Sequence, residues 1–358
     1  MSTSVDPTPV APPRAAALPA AGLAAARAQR HRSTGVRMAA AAGVVVVLFA
    51  VNILLGTYTV TIPDVFRILG GADIPGASFI VMENKLPRAV IGLLVGMAFG
   101  IAGTVFQTML RNPLASPDII GISYGASASA VTAIVLFGAA GAAVSFSALI
   151  GALVVAAAIY LISRRGGVAG YRLILVGIGF AAVMHALVSF LITRADLRTA
   201  SEALLWLNGS LNSSTWDRAT VLVASLVVLL PAAAILSRSL QGLELGDDAA
   251  AGLGVRVEAA RLGLMSSAVA LAAVATAAAG PIASIAFLSG PIARRLLGNR
   301  PSLVMAALVG AGIVLGADFV AANLIPGTSL PVGVVTGALG APFLLWLLAT
   351  ANRSGQGG

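Results

Sequence analysis

Cysteine is missing from all 358 residues, which excludes disulfides, zinc–thiolate sites and iron–sulfur clusters together. Histidine is nearly missing. His31 and His185 are too few to hold a metal by themselves, so a metal handled by this chain has to arrive already chelated. Lysine occurs once, as Lys85 between Asn84 and Leu86. The phosphate-binding loop G-x-x-x-x-G-K-[ST] needs its lysine directly after a glycine. The chain therefore has no nucleotide site of that class, and energy for active transport has to come from another subunit. Charge of either sign is scarce, at 10% of residues, whereas a water-soluble chain carries about 25%.

The 13 acidic residues lie in the tails, between apolar blocks or at the first residue of a block, with Asp318 as the exception. Acids inside a membrane mark proton or ion coupling because burying them is costly. Asp318 and His185 are two distant groups, which disfavours a proton relay; an ion-coupled secondary transporter stays as a lesser reading. Ser189 follows His185 by one helical turn, but no acidic partner stands nearby in sequence, so a membrane hydrolase is disfavoured too.

What is present is apolar: 58% of the residues are hydrophobic and the mean hydropathy is +0.98. A hydrocarbon core of about 30 Å takes about 20 apolar residues per helix. That ruler predicts ten spans, near 38–56, 89–110, 121–138, 142–162, 171–193, 217–236, 262–279, 282–297, 302–321 and 332–349. Residues 1–37, rich in Ala, Pro and Arg, read as a disordered tail, and residues 351–358 as a second tail. Gly280-Pro281 forms a tight turn between the seventh and eighth spans. The amphipathic stretch 194–216 is too polar to cross and is expected to pack at one membrane face.

The net charge of +9 does not mark a nucleic-acid binder, because the arginines are spread between apolar blocks instead of clustering on a polar face. With ten spans, sixteen of the 22 basic residues fall on the side of the termini and six on the other. The positive-inside rule then places both termini of this multi-pass protein in the cytoplasm.

Two segments stand out. The first runs from Leu86-Pro87-Arg88 through a span with Gly96, Gly100 and Gly103, spaced for close helix contact, to Gln107. It continues as Arg111-Asn112-Pro113-Leu114-Ala115-Ser116-Pro117-Asp118 and Gly121-Ile122-Ser123-Tyr124-Gly125. The second is the loop at 240–261. There Gly246 precedes Asp247 and Asp248 as at a helix start, since acids suit the positive end of the helix dipole. Ala249, Ala250 and Ala251 continue the helix, and Gly252 and Gly254 end it around Leu253.

These strings resemble the FecCD family of ABC-importer permeases, which move iron–siderophores, haem and cobalamin. The likeness extends over most of the chain. Leu173–Gly177, Trp206-Leu207-Asn208-Gly209-Ser210, Leu245–Ala250, Pro331–Gly337 and Gly340-Ala341-Pro342-Phe343 are all similar to family segments. The resemblance implies an all-α integral membrane fold, a ten-transmembrane-helix bundle of the FecCD/BtuC-like type spanning 38–350. It implies a permease subunit for ferric-siderophore complexes, with cobalamin or haem as alternatives. No cofactor is expected: ATP is bound by a partner ATPase, and iron travels only as its chelate.

The implied partners are a second FecCD permease chain, two ATPase subunits, an extracytoplasmic siderophore-binding protein and membrane lipid, with no nucleic acid. The helix around Gly246–Gly254 would be the coupling element seated in the ATPase. Lys85 and Arg88 would meet the binding protein. The fifth, eighth and tenth spans and the 194–216 segment would line the pathway. This chain departs from the pattern at Ala322, where a third basic residue is usual, and at Ser289-Gly290-Pro291-Ile292-Ala293-Arg294-Arg295, where a V-P-H-I-A-R string is common. That arginine ending resembles the FepG-like branch, which serves catecholate siderophores and usually works beside a different FecCD chain, so a heterodimeric pore is favoured over a homodimer.

Overall fold

A computed structural model describes residues 20–118, 120–163, 170–323 and 329–354. The expectations for residues 1–19, for Arg164 and Arg165 and for residues 355–358 lie outside the described residues. In chain order the helices are α1 (Ala20–Leu54), α2 (Ile62–Leu69), α3 (Ala77–Phe79), a π-helical turn (Ile80–Lys85), α4 (Leu86–Met109), α5 (Ile122–Phe137), α6 (Ala142–Ser163), α7 (Gly170–Arg194), α8 (Leu197–Leu207), α9 (Trp216–Glu244), α10 (Asp247–Gly252), α11 (Val257–Ala279), α12 (Ile285–Leu296), α13 (Leu303–Asn323) and α14 (Val332–Ser354). Among the described residues there is no strand.

Ten of these helices stand on the ten apolar blocks. Seven helical runs are long and apolar enough to cross a membrane, by length and composition, and the apolar stretches Ile122–Phe137 and Val332–Leu347 are shorter. The remaining helix, α12, has 12 residues and covers only the later part of the expected 282–297 block. Pro281 brings no N–H, and Gly280 and Ser284 take φ of 74° and 69°, so residues 280–284 make a turn before the helix starts. The chain is a multi-pass helical membrane protein.

The structure departs from the sequence expectations at three boundaries. The tail expected through residue 37 is already helical from Ala20, because alanine is the strongest helix former and the stretch is rich in it. Likewise α14 continues to Ser354, past the expected boundary at 350. The second span begins early: helix runs without a break from Ala77 to Met109.

Pro87 deforms that run without ending it. The chain relaxes into a π turn in which Leu86 N–H bonds to the Val81 carbonyl, five residues back. In that register the Met82 carbonyl would pair with residue 87, whose nitrogen has no proton. Trp216 at the start of α9 supplies the missing donor, its Nε1 reaching the Met82 carbonyl at 2.6 Å.

Helix α4 is the axis of the bundle, buried along nearly its whole length and packed by α9, α11, α12 and α13. A Cβ on Gly96 would lie 2.5 Å from the Gly310 carbonyl oxygen, and one on Gly103 would lie 1.8 Å from that of Ala286. Backbone therefore meets backbone at both crossings, the close approach that small residues give membrane helices. Helices α5, α6 and α7 form a second group beside it, and α1 lies along α13. Both α7 and α14 leave large apolar side chains uncovered, among them Leu175, Val183 and Phe190 on α7 and Leu339 and Leu345 on α14.

Loops sort to two ends. At one, Asn208 and Gly209 sit under three elements. A Cβ on Gly209 would meet the Pro281 carbonyl at 2.5 Å, one on Gly333 would meet the Asn208 carbonyl at 1.9 Å, and Ser210 N–H bonds to the Ala279 carbonyl at 2.8 Å. Three of the segments picked from the sequence, at 206–210, 280–281 and 331–337, thus converge. Helix α10 and the 111–118 loop occupy the opposite end.

Gly103→Val is expected to lower the stability of the detergent-purified protein by about 1–3 kcal/mol, the usual cost of overpacking a tight core. Gly43→Ala, at a site with open space around it, should change little. Thermal unfolding followed by tryptophan fluorescence measures both.

Candidate functional site

At the α10 end the main chain after α9 turns through Gly246, whose φ of 117° and ψ of 156° belong to a region that essentially only glycine adopts. Helix α10 then spans Asp247–Gly252, close to the helix expected from the Gly-Asp-Asp-Ala-Ala-Ala string. Ala250 faces inward and is fully buried, while Leu245 and Leu253 are 67% and 68% exposed. Asp248, Ala249 and Gly254 are exposed between them. The result is a knob with a small-residue crown and a leucine on each flank.

Asp247 holds the knob in place. Arg261 of α11 donates to both of its carboxylate oxygens at 3.0 Å, and Arg111 lies 3.6 Å from it. Arg111 has φ of 49°, a left-handed conformation that costs a non-glycine residue about 1–3 kcal/mol. Its Nη2 donates to the Leu243 carbonyl at 3.0 Å, which ties the end of α4 to the end of α9. A second link runs beside it: Arg294 of α12 pairs with Glu244 at 3.0 Å and donates to Thr108 Oγ1 at 2.6 Å. Arg261, Glu244 and Thr108 were not singled out from the sequence, and Arg294 stood out only as part of a family string. Their signal was slight, since charged residues at span ends ordinarily serve as topology markers.

The 107–125 segment braces this end. Gln107 is buried and its Nε2 donates to the Phe287 carbonyl at 3.0 Å. That carbonyl would otherwise pair with residue 291 of α12, which is proline and has no N–H. Asn112 Oδ1 accepts from Leu114 N–H at 2.9 Å, and Asn112 N–H bonds back to the Gln107 carbonyl. These bonds fold Pro113, Leu114 and Ala115 into a compact turn. A cavity of about 460 Å³ lies among Gln107, Arg111, Asn112, Pro113, Glu244, Arg294 and Arg295. Pro117 is buried. Gly121 and Gly125 are packing positions, where a Cβ would meet the Gly177 carbonyl at 2.8 Å and Val155 at 2.6 Å. Along the α12–α14 seam Phe287, Phe343 and Trp346 contact in series, and the Arg295 guanidinium stacks on the Trp346 ring at 3.8 Å.

At the opposite end Lys85 and Arg88 are turned inward. Lys85 Nζ donates to the carbonyls of Ile53, Leu55 and Tyr58 at 2.9, 2.8 and 2.6 Å, using its three donors on the frayed end of α1. Arg88 grips Asp318 with two bonds, Nε to Oδ2 at 2.8 Å and Nη2 to Oδ1 at 2.9 Å. Asp318 is 2% exposed, so the acid that stood apart in the sequence forms a buried ion pair joining α4 to α13. His185 makes an edge contact with Tyr124.

The chain matches the FecCD transport family over residues 44–350. It belongs to that family. Across 299 residues it is 42% identical to the ferric enterobactin transport system permease protein FepG of Escherichia coli (strain K12), covering 83% of this chain and 91% of that protein. It is 39% identical to the achromobactin transport system permease protein CbrC of Dickeya dadantii (strain 3937), covering 80% and 83%. Among solved structures it resembles an inward-facing metal-chelate type ABC transporter at a TM-score of 0.76 and 26% identity, over 87% of this chain and 98% of that one. A FecCD chain is a permease subunit and not an enzyme; ATP hydrolysis belongs to a separate subunit.

Two predictions follow from this geometry. Removing one partner of a buried ion pair strands the other's charge, at a cost of about 3–5 kcal/mol. Arg88→Met alone and Asp318→Asn alone should each destabilise the FecCD chain on that scale, while Arg88→Met with Asp318→Leu recovers most of the loss; melting temperatures of the single and double variants measure the coupling.

The second concerns Asp118, in the loop between α4 and α5. Burial pushes its carboxyl above the ordinary value, and a hydrogen bond donated by Ser123 Oγ opposes that shift. The folded chain therefore holds this proton more tightly than the unfolded chain. Stability from this site is complete below about pH 4 and is lost as pH rises through the folded-state pKa. Asp118→Asn should flatten that part of the stability–pH curve.

Proposed function

We propose that this FecCD chain is the permease subunit of an ATP-driven importer that carries ferric-siderophore complexes into the bacterial cytoplasm, with both termini and α10 on the cytoplasmic side. The observation that carries the energy-coupling part is α10 itself. It is a short helix behind an obligatory glycine, anchored by Asp247 and presenting Leu245, Ala249 and Leu253 outward. A chain without its own nucleotide site needs such a handle. Force on the knob passes through Asp247 to Arg111 and Arg261, at the ends of α4 and α11, and through the neighbouring Glu244 to Arg294 on α12. Orientation rests on the arginines: Arg37, Arg111, Arg261, Arg294 and Arg295 gather at the α10 end, as expected of a cytoplasmic face.

The ligand assignment rests on the relatives, whose names specify ferric enterobactin and achromobactin, and favours a ferric siderophore, with the catecholate class first. The chain itself is proposed to carry no cofactor. The uncovered apolar faces of α7 and α14 support pairing with a second FecCD chain, a different one by preference, around a shared pathway. A siderophore-binding protein would dock at the Lys85 end. Lys85 and Arg88 themselves are already engaged by internal carbonyls and by Asp318, so a docking glutamate would have to compete with those contacts.

Uptake of radiolabelled ferric siderophores of several chelator classes, in cells lacking the gene and in cells restored with it, tests the reading. Loss confined to catecholates is the expected result, and unchanged uptake of every class refutes the iron assignment. In the restored cells Leu253→Asp should reduce uptake at least about tenfold at unchanged membrane abundance, because an exposed leucine carries little of the fold. Normal uptake with this variant would remove the coupling role from α10.

A further inference from the structure

A cavity of about 270 Å³ opens between α6, α9 and α11, far from α10. Its walls are apolar, from Phe146, Leu149, Val221, Leu222 and Val274, and its rim carries Asp217 and Arg218. Phe146 and Val221 are largely exposed, so the groove opens onto the flank of the bundle that faces lipid.

Arg218 is the unusual member. At this end Arg67 pairs with Asp64 and Arg198 with Glu202, and the Arg194 guanidinium lies over the Phe190 ring. The half-buried Arg218 guanidinium has no hydrogen bond or ion pair among the described residues. A guanidinium drawn from water without a partner is costly, and the group that fits its planar fork is a carboxylate or a phosphate. Asp217 stands beside it on the same rim, so the rim presents one charge of each sign above an apolar slot. Depth is set by the residue before them. Trp216 is pinned to the Met82 carbonyl at 2.6 Å, and tryptophan characteristically sits at the headgroup level of a membrane.

We propose that this groove is a binding site for one zwitterionic phospholipid of the phosphatidylethanolamine type. Its phosphate pairs with Arg218, its ammonium lies toward Asp217, and one acyl chain fills the slot between α6, α9 and α11. A purely anionic headgroup would satisfy Arg218 but face Asp217 with repulsion, which gives the site its preference. The lipid completes a charge that the protein leaves unpaired and bridges three helices.

Native mass spectrometry of the purified full chain tests this, with dioleoyl phosphatidylethanolamine and dioleoyl phosphatidylglycerol added separately at equal concentration. The wild type should retain the ethanolamine lipid preferentially, and Arg218→Gln should lower its retention about tenfold, the scale of a hydrogen bond to a charged group. Arg218→Lys should keep part of it. Asp217→Asn should raise retention of the glycerol lipid towards that of the ethanolamine lipid. Ser225→Phe, which fills the slot and leaves both charges intact, should lower retention as well; it guards against a folding defect in the Arg218 variants. Arg198→Gln, outside the groove, should change nothing. Equal retention by wild type and Arg218→Gln, or by wild type and Ser225→Phe, overturns the site. Equal retention of both lipids by the wild type overturns the headgroup assignment. A change of oligomeric state in Arg218→Gln, with lipid retention unchanged, would mark the groove as a protein contact and end the proposal.

Discussion

Inside a membrane no water is at hand to satisfy a main-chain carbonyl that loses its helical partner, so the protein has to supply a donor itself. The fold depends on how this chain meets that constraint. Pro87 and Pro291 each remove one N–H, and the carbonyls left over, at Met82 and Phe287, are met by Trp216 and Gln107 from other helices. Helix ends raise the same demand. Lys85 covers the end of α1, Arg111 that of α9 and Arg37 that of α12. In a chain with 10% charged residues these donors are few, and most of the polar side chains that look available for ligands are already committed to holding helices in register.

The same commitments organise the two ends differently. At the Lys85 end the contacts that join separate helices are Lys85 to the α1 carbonyls, Trp216 to the Met82 carbonyl and the Arg88–Asp318 pair, which clamps α4 to α13 with Asp318 buried. At the α10 end the links are more exposed ion pairs, about 50% exposed at Arg111 and Asp247. Pairs of that kind contribute little to stability, about 0–1 kcal/mol, and rearrange easily. A tight end and a loose end suit a helix bundle pushed from one side. Helix α4, whose glycines let it touch α12 and α13 backbone to backbone, is the rigid part through which such a push would travel.

Much of this was legible in the residues. A helix stands on each apolar block, and seven runs are long and apolar enough to cross a bilayer, whose thickness leaves little freedom in span length. The Gly246–Gly254 string predicted a short helix, and a helix of six residues is there. The glycines of the second span announced close contact, and contact is what they make. The internal partners of Lys85 and Arg88 were not legible: the sequence shows that two cations stand at a span end, but not that α1 and α13 bring three carbonyls and a carboxylate within their reach. The partner of Asp318 was hidden for the same cause, lying 230 residues away.

The amino-acid sequence by itself determined the class of molecule, the positions of its spans, the absence of cysteine chemistry and of a Walker-type nucleotide loop, and the family to which it belongs. All of these follow from composition, from block length or from contiguous motifs. Only the tertiary structure decided which polar groups are free and which are consumed. Among the described residues Arg88 is paired and Arg218 is not, Gln107 mends a proline-broken helix, and Leu245 and Leu253 point outward while Ala250 points in. A side chain's partners are set by packing between helices remote in sequence, and no local pattern records that packing.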